Sequence, residues 1–117
     1  VRKVSGGKYI PLRKKKLSEM SGKPRLTIFG KDKKKVLRMV GGEMKTVMLS
    51  CETAFVTDPK TKKTQKSKIK SVVKSPANRY FKNIIVKGTI IETEAGTARV
   101  TNRPGQEGNV AAVVISQ

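Results

Sequence analysis

From Arg25 to the end of the chain, short runs of apolar and β-branched residues alternate with clusters of Gly, Pro, Asn, Asp and Lys. The runs cover residues 25–29, 35–40, 43–50, 53–56, 68–73, 84–94, 97–102 and 109–116. Runs of this length and spacing are typical of antiparallel β-strands. We therefore predict a mainly β fold: a small antiparallel β-barrel or sandwich, preceded by an extended basic N-terminal arm, with at most one short helix.

The residues between the runs predict particular turns. Gly41-Gly42 is expected to join two strands in a hairpin with a primed turn, and Thr57-Asp58-Pro59-Lys60 suits a type I turn that leads into a basic loop over 60–68. A two-residue turn at Ala95-Gly96 would place Glu92 opposite Arg99 as a cross-strand ion pair. Ser75 followed by Pro76 predicts the one helix, over ANRYFKN (77–83). The segment RPGQEG (103–108) is expected to be a plain β-turn or a phosphate-binding loop.

Residues 1–24 differ from the rest because they lack apolar periodicity. They contain eight Lys or Arg residues and a single acidic one, Glu19, and they are interrupted by Ser5-Gly6-Gly7 and Ser21-Gly22. We predict two parts: an extended basic arm over 1–24 and a single β domain over 25–117. The stretch 84–116, which holds 10 of the 26 Val, Ile and Leu residues and has no net charge, is expected to form most of the core.

Charge is the dominant property of the composition. The 117 residues include 27 Lys and Arg against 8 Asp and Glu, a net charge of +19. Residues 1–40 carry +12, 41–82 carry +7, and 83–117 are neutral. A small protein with this charge favours polyanions, and nucleic acid is the default partner. An anionic membrane surface is the alternative, although no run of 18 apolar residues predicts a spanning helix.

The residue types argue against an enzyme. The chain has no His, and its single cysteine, Cys51, lies in an apolar run where a buried thiol is expected. Glu92 and Glu94 alternate on one strand and could serve in acid–base chemistry or cation binding, but a solvated or salt-bridged strand face is the favoured interpretation. We predict no catalytic residues, no metal site, no cofactor, no small-molecule substrate and no membrane partner.

The basic residues favour phosphate contacts over base reading. Three Lys/Arg runs occur, at 13–16, 33–35 and 60–68, and Lys outnumbers Arg by 20 to 7. Lys supplies charge and reach, whereas the bidentate reading of base edges is led by Arg. Stacking aromatics are scarce, and Tyr80 and Phe81 are adjacent, so they would not share a helix face. We predict a protein that recognises the shape and the phosphates of folded RNA.

Two stretches of the sequence resemble the small-subunit ribosomal protein eight-e family of archaea and eukaryotes. The first is the opening RKVSGGKYIPLRKKKLSEMS, which is similar to the family's N-terminal signature of a basic residue, S-G-G, a spacer and a basic run. The second is SPANRYFKNIIVKGTIIETEAGTARVTNRPGQEG (75–108). Together they cover about half of the chain, and Gly41-Gly42 and Asp58-Pro59 add a weaker likeness between them. The short length resembles the archaeal form, because eukaryotic members carry a large insertion.

This resemblance implies a structural component of the small ribosomal subunit that binds rRNA through a basic arm and loops. It implies small-subunit rRNA and neighbouring small-subunit ribosomal proteins as partners, and a location on cytoplasmic ribosomes. The alternative is a ribosome-assembly factor, or another RNA-binding protein that shares this domain. The family signature points to Ser5, Gly6, Gly7 and 13–16, with Arg79 and Arg103 as further candidates. The full predicted set of RNA-binding residues is Arg2, Lys3, Ser5, Gly6, Gly7, Lys8, Arg13, Lys14, Lys15, Lys16, Lys23, Arg25, Lys33, Lys34, Lys35, Lys62, Lys63, Arg79, Lys82 and Arg103.

Overall fold

A computed structural model describes residues 1–10, 12–77 and 83–115, and this part of the chain is mainly β-structure. The elements are β1 (Thr27–Phe29), β2 (Lys33–Arg38), β3 (Met44–Cys51), β4 (Thr53–Thr57), β5 (Thr64–Lys74), β6 (Ile84–Ile85), β7 (Ile90–Thr93), β8 (Gly96–Val100), the short helix α1 (Pro104–Glu107) and β9 (Ala111–Val114). Single 3₁₀ turns lie at Leu17–Glu19 and Val40–Gly42. The predicted fold class is confirmed.

The strands form two units that share one core. Strands β4-β5-β7-β8-β9 close into a barrel, and β2-β3-β1-β6 form a four-stranded sheet. The barrel closes through a parallel pairing of β4 with β9. One apolar cluster runs through both units: Met48, Cys51, Ala54, Val56, Ile69, Ile85, Ile91, Ala98, Val100, Val110 and Ala112. The stretch 84–116 supplies six of these eleven residues, and the other five come from β3, β4 and β5.

The hairpin between β2 and β3 has the expected glycines at its tip. The predicted hairpin is confirmed, but the loop contains three residues, Val40, Gly41 and Gly42, because Met39 and Glu43 are already bonded across it. Gly41 and Gly42 have φ angles of 85° and 88°, which a side chain would resist. The Gly-Gly pair is therefore required by the turn.

Strand β5 is longer than the sequence indicated. It starts at Thr64, inside the segment predicted as a basic loop, and pairs with β4 from Thr57↔Thr64 to Thr53↔Lys68. Lys66 and Lys68 point outward and are exposed, while Ser67 and Ile69 are buried. Inward and outward positions alternate along β5, but the small polar residue Ser67 occupies an inward position. The first apolar residue of the strand is therefore Ile69. The loop that remains, between Asp58 and Lys63, is closed by backbone hydrogen bonds between those two residues and from Lys62 N–H to the Asp58 carbonyl.

The β7–β8 hairpin is confirmed, but its predicted register is wrong. Thr93 pairs with Gly96 and Ile90 pairs with Arg99, so the two-residue turn is Glu94-Ala95. Glu92 lies opposite Thr97 and accepts a hydrogen bond from Ser71 Oγ at 2.9 Å. The predicted Glu92–Arg99 ion pair is therefore not formed. The Thr93 hydroxyl donates to the Gly96 carbonyl at 2.8 Å and stabilises the observed register.

Two other expectations are corrected. The run 84–94 is divided by a turn at 86–89, where Gly88 has a φ of 88°, so β6 joins the sheet and β7 joins the barrel. The segment 103–108, expected to be a turn or a binding loop, contains α1 with Pro104 in its first turn and Gly108 as its left-handed C-cap. The helix predicted over ANRYFKN falls mainly on residues 78–82, which lie outside the described residues.

Gly96→Ala is expected to lower the free energy of unfolding by about 1 kcal/mol or more, because Gly96 has a φ of 115° while the space around it is open. Urea unfolding followed by circular dichroism measures this change. Gly7→Ala is the control, since Gly7 lacks a positive φ and its nearest neighbour lies at an ordinary 3.7 Å. Equal stability of the two variants would contradict the role of conformation at Gly96.

Candidate nucleic-acid interface

The N-terminal segment contributes nothing to the core. Every described residue from Val1 to Leu26 is exposed. Ser5-Gly6-Gly7 forms a tight turn in which Gly6 has a φ of 80° and the Lys3 N–H donates to the Gly7 carbonyl at 2.9 Å. Arg2 pairs with Lys8 across this turn. The signature glycines therefore bring three cations, Arg2, Lys3 and Lys8, onto one small loop.

Within the basic run, Arg13 differs from the lysines that follow it. Its guanidinium donates two hydrogen bonds to the Glu19 carboxylate, at 2.8 and 2.7 Å, and the Lys16 N–H donates to the same carboxylate at 3.0 Å. The Arg13 bond, more than the Lys16 bond, lowers the pKa of Glu19. Lys14, Lys15 and Lys16 are exposed. Arg13 therefore shapes the arm, and the lysines present its free charge.

The other predicted lysine runs lie at edges of the two units. Lys33, Lys34 and Lys35 are exposed on β2, an edge strand of the four-stranded sheet. Charged residues at such a position also block unwanted strand pairing. Lys62 and Lys63 lie in the β4–β5 loop, where Lys62 has a φ of 55°. Lys23 lies on the exposed arm.

Arg25 and Arg103, far apart in sequence, line the same cleft of about 250 Å³. Lys87 is the third cation on its wall, and Ile85, Val86, Pro104, Gly105 and Gln106 complete the lining. None of these lining residues is acidic. Three like charges around a small space repel one another, and a bound anion relieves that repulsion. Arg presents planar donors that match a phosphate in two places.

Two features of the α1 region hold this cleft together. A Cβ at Gly105 would lie 2.5 Å from the Arg25 carbonyl oxygen, so glycine is required where the two backbones meet. The Asn102 side chain donates to the Asn109 carbonyl at 3.0 Å and accepts from the Ala111 N–H at 3.0 Å. Asn102 thereby closes the loop that contains α1. These bonds hold in place the backbone from which the Arg103 side chain extends.

Sequence reasoning missed several cations of this surface. Lys87 was omitted because it lies in the neutral part of the chain and outside any charge run. Lys66, Lys68 and Lys70 form an exposed row along the outer face of β5. Lys66 and Lys68 belong to the basic run 60–68, but none of the three was in the predicted set of RNA-binding residues. Their spacing of two residues, within a strand, is the signal that could have found them. Arg79 and Lys82 lie outside the described residues.

The side chains considered for catalysis, Cys51, Glu92 and Glu94, lie in the core, on a strand and in a turn. Cys51 is buried, and its burial raises the pKa of the thiol from 9.0 to about 12, with a smaller effect of Asp32. Glu92 is bonded to Ser71, and Glu94 lies in the β7–β8 turn. Across residues 1–10, 12–77 and 83–115, no three Cys, Asp or Glu side chains converge as a metal site would require.

The Cys51 thiol is expected to resist iodoacetamide in the folded protein at pH 8 and to react on unfolding, because the thiolate is the nucleophile.

The pKa of the thiol is 9.0 in the unfolded chain and about 12 in the folded protein. The contribution of Cys51 to stability is therefore complete below pH 9 and is lost as pH rises toward 12. Urea titrations of the wild type and of Cys51→Ala at pH 8 and 10 measure this. A pH dependence identical in both would contradict it.

Comparison with known proteins decides the family. The sequence profile described as ribosomal protein S8e matches residues 1–115. The chain belongs to the ribosomal protein S8e family. Proteins named small ribosomal subunit protein eS8 are similar over nearly the whole length: that of Methanocorpusculum labreanum is 45% identical, over 98% of this chain and 94% of its own, and that of Methanococcus aeolicus is 44% identical, over 99% and 93%. The Methanospirillum hungatei protein is 43% identical over 98% and 94%.

Membership of the S8e family confirms the resemblance based on the SGG opening and the 75–108 segment. It also confirms the prediction that the chain is not an enzyme, since the family is one of structural ribosomal proteins. In the described parts of the chain, no helix is long and apolar enough to cross a membrane.

Proposed function

We propose that this S8e-family chain is a resident component of the small ribosomal subunit in the cytoplasm and that it binds small-subunit rRNA through its phosphates. The arm and the cleft of Arg25, Lys87 and Arg103, here called the basic cleft, are the two main contacts. Neighbouring ribosomal proteins are its other partners. The chain takes no cofactor and no small-molecule substrate.

The observation that carries this proposal is the convergence of three cations on the basic cleft. Arg25 comes from the segment between the arm and β1, Lys87 from the β6–β7 turn and Arg103 from the start of α1. The cleft has no acidic lining residue to neutralise them. An RNA phosphate seated there meets donors from three separate elements, which fixes the position of the backbone and carries no base preference.

The arm supports the proposal in a different way. With every described residue from 1 to 26 exposed, the arm lacks packing of its own and gains it only against a partner. Arg25 joins the arm to the basic cleft, so the two contacts form one continuous surface. A polyanion held at the cleft is then adjacent to Lys23 and the lysines that precede it.

The test is the binding of a small-subunit rRNA fragment by a cleft variant that combines Arg25→Gln, Lys87→Gln and Arg103→Gln. We expect the slope of log affinity against log salt to become shallower by about three units, one for each cation that is neutralised. The matched control, Arg38→Gln with Lys74→Gln and Arg99→Gln, removes two Arg and one Lys outside the basic cleft. Its salt slope should stay closer to the wild-type slope than that of the cleft variant. An unchanged slope for the cleft variant would exclude the cleft.

Sedimentation separates a resident protein from an assembly factor. We expect the tagged chain to sediment with mature small subunits and to remain there after a high-speed wash at low salt. Sedimentation with precursor particles alone would overturn residence in the subunit and favour the assembly-factor alternative. Both roles predict salt-dependent binding to an rRNA fragment. The binding experiment therefore tests the cleft, and the sedimentation experiment separately tests residence in the subunit.

A further inference from the structure

We propose that the outer face of the β4–β5 hairpin holds an unpaired nucleotide of the RNA, with its base stacked on Phe55 and its adjacent phosphates near Lys66 and the lysines of the 58–63 loop. This inference rests on the proposed function for the identity of the ligand. It adds a second kind of contact, base stacking, which the scarcity of aromatic residues argued against.

The exposure of Phe55 is unusual within its strand. Ala54 and Val56, its neighbours in β4, are 1% and 2% exposed and belong to the barrel core, whereas Phe55 points outward and is 44% exposed. The alternation of the strand fixes this direction, because Ala54 and Val56 must face inward. A large aromatic side chain is therefore held on a rigid barrel strand, facing solvent.

The residues paired with Phe55 leave it partly exposed, at 44%. On one side it pairs with Ala111 of β9, whose side chain is a single methyl group. On the other side it pairs with Lys66 of β5. In the part of the chain that the structure describes, the cation placed over an aromatic ring is Lys3 over Tyr9, at 5.7 Å from the ring centroid, so Lys66 does not occupy the face of Phe55. The exposed part of the ring is accessible to a nucleobase.

The charges around Phe55 match a nucleic-acid strand. Along β5, Lys66, Lys68 and Lys70 are exposed on the outer face, and Lys60, Lys62 and Lys63 occupy the loop at the end of the same hairpin. Three acids lie on or beside this hairpin: Glu52 just before β4, Asp58 in the loop, and Asp32. The Asp32 carboxylate accepts hydrogen bonds from the Glu52 N–H at 2.7 Å and from Thr53 Oγ1 at 3.2 Å. The pKa of Asp32 is lowered mainly by the hydrogen bond from the Glu52 N–H and slightly by the charge of Lys66, which forms no direct ion pair with it. The six lysines outweigh the three acids.

These features favour RNA over a protein partner. An aromatic ring beside a basic groove is the usual arrangement for single-stranded nucleic acid, since every base offers a face for stacking and every linkage a charge. A protein partner would have to cover six lysines with acidic residues. RNA supplies both the apolar base and the phosphates from one strand.

The chain has no tryptophan, so Phe55→Trp introduces a single fluorophore at the site. We expect the tryptophan emission of this variant to be quenched when the full chain binds a small-subunit rRNA fragment that contains single-stranded loops. The control, Val40→Trp, places the same fluorophore at the exposed tip of the β2–β3 hairpin and should show little quenching. Circular dichroism confirms that both variants are folded.

Affinity provides the second readout. Phe55→Leu keeps an apolar side chain but removes the ring, and we expect rRNA binding to weaken roughly ten- to a hundredfold with the salt slope unchanged. Phe55→Tyr should retain near-wild-type affinity. Replacing Lys66, Lys68 and Lys70 by Ala should instead flatten the salt slope.

Wild-type affinity of Phe55→Leu, or unquenched emission from Phe55→Trp in a bound complex, would overturn the stacking site while leaving rRNA binding intact. Emission of Phe55→Trp that changes only when other ribosomal proteins are added would also overturn it, in favour of a protein interface. Failure of the wild-type chain to bind rRNA would instead refute the proposed function itself.

Discussion

Binding of this chain to an isolated small-subunit rRNA fragment is expected to weaken by roughly 10³–10⁵ between 50 and 200 mM salt, on the scale for a protein that neutralises about 6–10 phosphates. The physical reason is the release of condensed counterions as lysines and arginines replace them. The charge of +19 and the exposure of the described arm residues make this the dominant contribution to affinity. Fluorescence anisotropy of a labelled fragment across a salt series measures it.

The part of this effect that belongs to the arm is isolated by Lys14→Ala, Lys15→Ala and Lys16→Ala together. Arg13 is kept, because its two bonds to Glu19 shape the arm and its removal would change structure as well as charge. We expect the salt slope to flatten by about three units. The variant Glu92→Gln with Glu94→Gln is the control and should keep the wild-type slope. If the lysine variant also kept it, the binding surface would have to lie on the barrel and the cleft alone.

The fold class could be predicted because short alternating runs and turn residues constrain a small β-protein strongly. Strand register could not. For β7 and β8, the predicted and observed registers differ by two residues, and both place Ile91, Thr93, Ala98 and Val100 inward. Hydrophobic alternation distinguishes the two faces of a strand, so it cannot separate registers that differ by an even number of residues. The hydrogen bond from Thr93 to Gly96 decides between them, and it depends on the folded hairpin.

The part of the candidate interface that lies in runs of charged residues could be predicted from the sequence. The lysines of 14–16 and 33–35 form runs that are visible in the sequence, and they are exposed in the structure. The basic cleft is different, because Arg25, Lys87 and Arg103 are brought together by the packing of α1 against the end of the arm. Phe55 was missed because the run TAFV does not show which face of β4 is buried; the folded barrel buries Ala54 and Val56 and leaves Phe55 on the outer face.

Gly105→Ala is expected to lower the free energy of unfolding by about 1–3 kcal/mol, because overpacking forces the backbone to move. The added Cβ would lie 2.5 Å from the Arg25 carbonyl oxygen, and a backbone atom cannot turn aside as a flexible side chain can. Urea unfolding measures the loss. Gly22→Ala is the control, since nothing lies within 4 Å of its Cβ position, and its stability should stay close to that of the wild type.

The same change should weaken rRNA binding, since relief of the contact moves Arg25 away from Arg103 and Lys87. This effect is separated from general instability by a double-mutant cycle with Arg25→Gln, measured where all variants are folded. If Gly105 acts by positioning Arg25, then Gly105→Ala costs affinity in the wild type and little once Arg25 is already neutral. If Gly105→Ala lowers rRNA affinity equally with Arg25 and with Gln at position 25, Gly105 supports only the fold and does not position Arg25 in the basic cleft.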